Sequence, residues 1–264
     1  MDEILAAGLK AVCSLILAIV TMLIAPGTMR AQYGTDPYPF AVGNYWIYRG
    51  YVTRPAIYDQ GHFSPPETKE RAWRSEITQV VYRNDGSAAM GALLSRISAA
   101  VFDDTVGPAS ERFPVVLINV NSDRFYEIPD PGLSNGASAI PDILRRVRDA
   151  NDDLSDLFRN SLILDLPLSP GKHWGAPFYS WTVIQVESNP LIGLRGSDAN
   201  LNNAGFVLET SDNTGTKRVT FVPGVGITHV WEESLFPRGD PNHRELDARL
   251  VEVHLKPTTA PVAR

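Results

Sequence analysis

Pro39-Phe40-Ala41-Val42-Gly43-Asn44-Tyr45-Trp46 and Pro167-Leu168-Ser169-Pro170-Gly171-Lys172-His173-Trp174 are one phrase, Pro-apolar-x-x-Gly-x-x-Trp, written twice. Proline stiffens the approach, glycine permits a tight turn, and tryptophan supplies a large surface to bury. Each phrase leads into a strand-like stretch, Trp46-Ile47-Tyr48 in the first and Phe178-Tyr179-Ser180-Trp181-Thr182-Val183 in the second. These residue types start a sheet; they carry no chemistry of their own.

Outward from the first phrase, alternating apolar and polar residues predict strands over about 71–83, 89–99, 115–120 and 124–128. Asn84-Asp85-Gly86-Ser87 is a hairpin signal, because Asp-Gly accepts the positive φ of a type I′ turn. The period then changes. Ile140, Ile143, Leu144, Val147, Leu154, Leu157 and Phe158 recur at helical spacings, predicting a helical insert over about 141–160. Pro141 suits a first helical turn, and Asn151-Asp152 is placed to cap a second helix. Strands resume over 178–187, 206–210, 217–222, 227–232 and 245–255, with Asp212-Asn213-Thr214-Gly215 as a hairpin turn. The last of these strands changes phase near Leu250, which calls for a bulge. The expected fold is mainly β: an antiparallel barrel, half-barrel or sandwich with one helical insert. Because the Trp phrase opens both halves, about 37–135 and 161–257, a duplicated meander is one reading of the single β-rich domain over 32–257.

The 264 residues, 44% hydrophobic and 20% charged, are ordinary for a globular chain. A net charge of -6, with no basic block to offset it, argues against a nucleic-acid partner. The only cationic cluster, Arg145, Arg146 and Arg148, runs directly into Asp149, Asp152, Asp153 and Asp156 and reads as a solvated helix surface. Lys10 precedes an apolar run from Ala11 to Ala25 and then small residues, the pattern of a signal peptide over 1–31 cleaved after Ala31. The alternative is an uncleaved anchor, but the run falls short of the ~20 apolar residues a spanning helix needs, so no membrane span is expected in the mature chain. Cys13 lies inside that segment, so the mature chain is expected to lack any thiol. Residues 258–264 read as a loose tail.

Three phrases occur in order: Pro39-x-x-x-Gly43-x-x-Trp46-x-Tyr48, Leu166-Pro167-Leu168-x-x-Gly171-x-x-Trp174 and Phe221-Val222-Pro223-Gly224-Val225-Gly226. Together they resemble a broad group of uncharacterised exported bacterial β-rich proteins. The resemblance implies a sheet-dominated fold and a periplasmic or extracellular location in a bacterial envelope. It implies no activity and transfers no site residue.

Candidate sites are few. Aromatic residues crowd the strand starts, and Trp46, Tyr48, Trp174, Trp181 and Trp231 are the candidates to line a pocket for a lipid or another apolar ligand. Asp198, Asn200, Asn202 and Glu209 have the one-three-five-twelve spacing of a calcium loop, but Asn203 stands where glycine is expected, Gly205 replaces the usual aliphatic residue and no helices flank it, so a polar loop feeding a strand is the preferred reading. Calcium is therefore the only cofactor considered. The five histidines are scattered, and His243 lies in a polar loop where solvent exposure is expected. No Gly-x-Ser-x-Gly elbow, Ser-x-x-Lys pair or glycine-rich phosphate loop is present, so the reading leans away from an enzyme. The expectation is a non-catalytic envelope protein binding an apolar small molecule in a β pocket. The alternatives are a structural or interaction module that docks an envelope partner, and a hydrolase built on an unrecognised carboxylate or histidine site.

Overall fold

The computed structural model describes residues 37–54, 57–59, 62–84, 90–100, 112–121, 123–130, 138–159, 161–176, 179–188, 191, 194, 204–237, 240 and 243–256. The signal-peptide segment 1–31, the Asp85-Gly86 turn, three of the calcium-loop positions (Asp198, Asn200 and Asn202) and the tail 258–264 lie outside them. Residues Asp36–Arg264 form one compact unit.

The strands in chain order are β1 (Tyr45–Arg54), β2 (Ile57–Asp59), β3 (His62–Ser64), β4 (Glu67–Tyr82), β5 (Met90–Ala100), β6 (Arg112–Val120) and β7 (Arg124–Pro129). After helices α1 (Ile140–Arg148) and α2 (Ser155–Phe158) come β8 (Leu162–Asp165), β9 (His173–Ala176), β10 (Tyr179–Glu187), β11 (Gly205–Ser211), β12 (Gly215–Val222), β13 (Gly226–Ser234) and β14 (Glu245–His254). Twelve of the strands form one antiparallel sheet in the order β8-β7-β6-β5-β4-β1-β14-β13-β12-β11-β10-β9, curled into a nearly closed barrel. Strands β2 and β3 make a separate hairpin. The mainly β expectation holds, and of the three architectures it is the barrel that forms.

The repeated phrase makes the same local structure twice. Gly43 (φ 89°) and Gly171 (φ 79°) both sit at positive φ. In each turn the residue after the glycine donates its N–H back to the residue two before it: Asn44 to the Ala41 carbonyl, Lys172 to the Ser169 carbonyl. Each glycine N–H then reaches the neighbouring strand, Gly43 to Ile77 and Gly171 to Val183, and those residues return a bond to Asn44 and Lys172. Even the irregularities match, with register shifts at Ile77/Gln79 against β5 and at Val183/Gln185 against β11. In chain order β1 therefore corresponds to β9, and β14 to β8. Helices α1 and α2 fall between β7 and β8, inside the first run of six strands.

Alternation sorts side chains to the two faces of the wall. Trp46 and Tyr48 point inward from β1, while Arg49 and Tyr51 point out. Helix α1 lies on the outer face. Its Ile140, Ile143, Leu144 and Val147 pack with Leu154 against Val81, Val116, Ile118, Tyr126 and Ile128. Gly91 allows that approach, because a Cβ there would lie 3.0 Å from Val81 Cγ2 and 3.1 Å from Val147 Cγ1. Pro141 occupies the first turn as expected. The N-cap of the second helix is instead Leu154, and Asp152 is taken up by Arg146. Arg146 also binds Asp156 at 2.7 Å, which turns the cationic cluster into an ion-pair network. The β14 irregularity lies where Ile47 faces Glu252 and Tyr48 faces Leu250, next to the phase change in the sequence.

Two outcomes follow from this framework. Gly43→Ala and Gly171→Ala each place an L side chain in the left-handed region and should cost about 1–2 kcal/mol in urea unfolding, with asparagine losing less. Arg146 hydrogen bonds hold the Asp152 and Asp156 carboxyls below the usual carboxylate range. A depressed folded pKa contributes stability above the unfolded pKa and loses it as pH falls through the folded one. Acid titration below about pH 4 should therefore loosen the insert in the wild type. Arg146→Met should remove that pH-dependent component.

Candidate functional site

The barrel encloses a lumen of about 640 Å³, closed at one end by aromatic rings. Tyr38, in the segment before β1, is the hub of that floor. Its ring centroid lies 5.4 Å from Phe40, 5.9 Å from Trp46, 6.0 Å from Phe125 and 6.2 Å from Phe221. Phe40 lies in the same segment as Tyr38, while Trp46, Phe125 and Phe221 come from β1, β7 and β12, so the floor ties distant parts of the wall together. Trp46 donates its indole N–H to the Val225 carbonyl at 2.6 Å, and the Tyr48 hydroxyl donates to the Ile227 carbonyl at 2.7 Å. The Val-Pro-Gly-Val-Gly bend supplies both acceptors or their neighbours, and Gly224 N–H binds the Pro37 carbonyl. Gly226 (φ 105°) takes a backbone conformation that glycine adopts without strain, where the bend passes beside the Tyr38 ring.

Above the floor the walls are mostly apolar: Trp73, Leu164, Trp181, Leu208, Val219, Val230, Leu246 and Ala248 line the lumen. Polarity rises toward the other end, where Glu127, Tyr179, Lys217, Glu232 and Arg244 appear. Tyr179, Lys217, Glu232 and Arg244 also border a polar mouth cavity of about 610 Å³ beside the Asp212–Gly215 turn. Lys217 and Glu232 pair at 3.1 Å. Burial pushes the Tyr179 phenol above the ordinary tyrosine range, with Lys217 opposing, so it is a neutral hydroxyl at physiological pH. Bonds from Thr214 and Gly215 hold the Asp212 carboxyl below the usual range.

Among the described residues the wall has one gap. Strands β1 and β14 pair continuously from Tyr45 opposite His254 to Thr53 opposite Glu245. The corresponding junction, β9 with β8, has no ladder. It is spanned by Lys172, whose ammonium donates to the Asp165 carbonyl and lies 3.5 Å from the Asp165 carboxylate. Asn44, which occupies the matching position in the first phrase, uses its side chain across the closed junction and accepts the Lys256 N–H at 2.7 Å. Beside the gap is a seam cavity of about 470 Å³ lined by Arg124, Tyr126, Phe158, Arg159, Trp174 and Tyr179 among others.

Of the five aromatics expected at a pocket, Tyr48 and Trp181 line the lumen. Trp46 is 1% exposed and belongs to the floor. Trp174 lines the seam cavity. Trp231 is on the outer face, where the Arg218 guanidinium lies 4.8 Å over its ring. Sequence reading missed Trp73, although the alternation Trp73-Ser75-Ile77 on β4 carried the signal. Glu209 sits in β11 and pairs with Arg218 at 2.6 Å. Among the described residues no three histidine, cysteine or acidic side chains gather to hold a metal. His229 binds Asp247 at 2.8 Å, and His254 stacks on Tyr45. His243 departs from the expected exposure: it is 3% exposed and its Nδ1 lies 2.6 Å from the Phe236 carbonyl.

Trp46→Phe tests the floor. It keeps an aromatic ring but orphans the buried Val225 carbonyl, and should cost about 1–3 kcal/mol by urea unfolding. Trp231→Phe should cost much less, because it leaves the floor and lumen intact.

No family model matches the chain, and no curated protein or solved structure matches it either, so the functional reading rests on the lumen and its surroundings.

Proposed function

We propose that this is an exported, non-catalytic binding protein that holds an apolar small molecule or a lipid chain inside the barrel. The observation that carries the reading is the lumen: about 640 Å³, floored by packed rings, walled by apolar side chains and polar only toward its mouth. Sites for small molecules commonly enclose ~300–1,000 Å³ with this mixture of apolar lining and a few polar groups. A space of this kind is a poor home for ordered water and a favourable one for hydrocarbon.

The outer wall supports an inward-facing ligand. Arg74 and Glu76 bind one another on β4, and Glu209 pairs with Arg218 across β11 and β12. Arg249 is 71% exposed on β14. A lipid-facing barrel carries an outward apolar band and a polar interior, the reverse of this distribution. Among the described residues, no helix is long and apolar enough to cross a membrane. The docking alternative would use exposed sheet edges or the helical insert; of these, the apolar stripe of α1 is already covered by the barrel wall.

Native mass spectrometry of protein purified without detergent tests the reading. The wild type should carry extra mass matching an apolar ligand, or take up dodecanol when bare. Val230→Trp, which fills the lumen, should lose that mass or uptake, while the outer-face change Arg249→Ala should keep it. A folded wild type that carries nothing and takes up no alkyl chain would sink the proposal.

A further inference from the structure

We infer that the seam end of the lumen receives an anionic head group, which makes the ligand of this barrel an acidic amphiphile; this rests on the reading of the lumen as an apolar site. The first observation is a pair of donors. Trp174 on β9 and Trp181 on β10 are direct cross-strand partners, so their rings lie on the same inner face. They are 5% and 2% exposed; the Trp174 indole N–H is buried without an acceptor among the described residues, and that of Trp181 has the Tyr179 hydroxyl as a neighbour outside hydrogen-bond geometry. A buried donor without an acceptor carries the full cost of its desolvation. The Trp174 N–H, with the Trp181 N–H beside it, is a donor that a ligand oxygen can satisfy.

The second observation is charge. Arg124 and Arg159 line the seam cavity, and the Lys172 ammonium lies 5.8 Å from the Trp174 ring centroid. Asp165 is the only carboxylate lining that cavity, and it stands 3.8 Å from Arg124 and 3.5 Å from Lys172. Arg159 has no ion-pair partner among the described residues. The seam therefore has cationic capacity to spare. At the mouth acid outweighs base: Lys217 is engaged by Glu232, Arg244 is the other cation, and Asp212, Glu233 and, at the lumen's rim, Glu127 add further acid. An anion is favoured at the seam and repelled at the mouth.

The third observation is continuity. Tyr179 borders the lumen, the mouth and the seam cavity, and Trp181 continues the seam tryptophan into the lumen. A single molecule can thus place its hydrocarbon against Trp73, Val219 and Leu246 and its charged oxygens between the two indoles and the guanidinium groups. A carboxylate and a phosphate monoester share the required chemistry. Charge-assisted hydrogen bonds to such oxygens are the strong kind.

The test compares dodecanoate, dodecyl phosphate and dodecanol by isothermal titration calorimetry on the same folded protein. At least one anion should bind about tenfold or more tightly than the alcohol, and the stronger of the two identifies the head group. The Arg124→Gln/Arg159→Gln double variant changes two exposed side chains and should erase that preference while leaving dodecanol affinity unchanged. Trp174→Phe should weaken the anion several-fold and spare the alcohol. Equal binding of all three in the wild type, or a preference that survives the double variant, overturns the head-group site while leaving the lumen reading standing. Failure of every probe to bind overturns both.

Discussion

One hydrogen bond and the rings around it set the geometry of this protein. The Trp46 indole N–H crosses to the Val225 carbonyl at 2.6 Å, and Tyr38 packs over the pair against Phe40, Phe125 and Phe221. A twelve-stranded wall curled nearly to closure leaves an interior too wide for single side chains to fill. A plug of large aromatics at one end resolves this, by supplying a buried core at the floor and leaving space above it. The polar handle on Trp46 matters as much as its bulk, because burying an indole is favourable only when its N–H is satisfied. The same rule marks Trp174 and Trp181 as different in kind. They are also buried, but neither donor makes a hydrogen bond to an acceptor among the described residues, and only Trp181 has a hydroxyl, that of Tyr179, nearby.

The two halves use one device to opposite ends. In each, a glycine turn hands the chain to a strand and the following side chain reaches over the adjacent junction: Asn44 to the Lys256 backbone, Lys172 to the Asp165 backbone. At the first junction a full ladder lies beyond that contact. At the second, β8 and β9 are only four residues each, and the contacts of Lys172 with Asp165 stand in for the ladder. A wall with one weak seam differs functionally from a sealed one. Its free energy of local opening is set by a handful of contacts and lies well below that of the remaining sheet.

Much of this architecture was legible in the sequence. Alternation located β4–β7 and β10–β14 closely, and helical spacing found α1 because its apolar stripe is long enough to show a period. The Trp phrases were correctly read as devices for starting sheets. The third phrase, Val222-Pro223-Gly224-Val225-Gly226, was read only as a bend; its role as the acceptor of the Trp46 bond needs the tertiary fold. The short strands β2, β3, β8 and β9 escaped, since three or four residues cannot establish a period of two against a helical alternative. The site was less legible for a related reason. Alternation says which residues share a face but not which face is inside, so Trp231 and Trp181 look alike in sequence and lie on opposite sides of the wall. Trp73 was hidden in a strand of mixed polarity, where Arg71, Arg74 and Glu76 obscure its inward neighbours. His243 looked solvated because its loop is polar, yet the Phe236 carbonyl captures it.

The pairing of β1 with β14 joins residues two hundred positions apart, as Tyr45 opposite His254 illustrates. A nascent chain therefore carries the outer edge of its first strand unpaired until almost the whole polypeptide has been made. Most of the other ladders are hairpins between neighbours and can form early, but the ring cannot shut until its last strand arrives. Contacts of such long sequence separation slow folding, and an unsatisfied strand edge is open to foreign partners meanwhile. For this topology, the time between synthesis and closure is when the chain is most exposed to misassociation, and anything that keeps it extended until the C-terminal strand is available works with the design of the barrel.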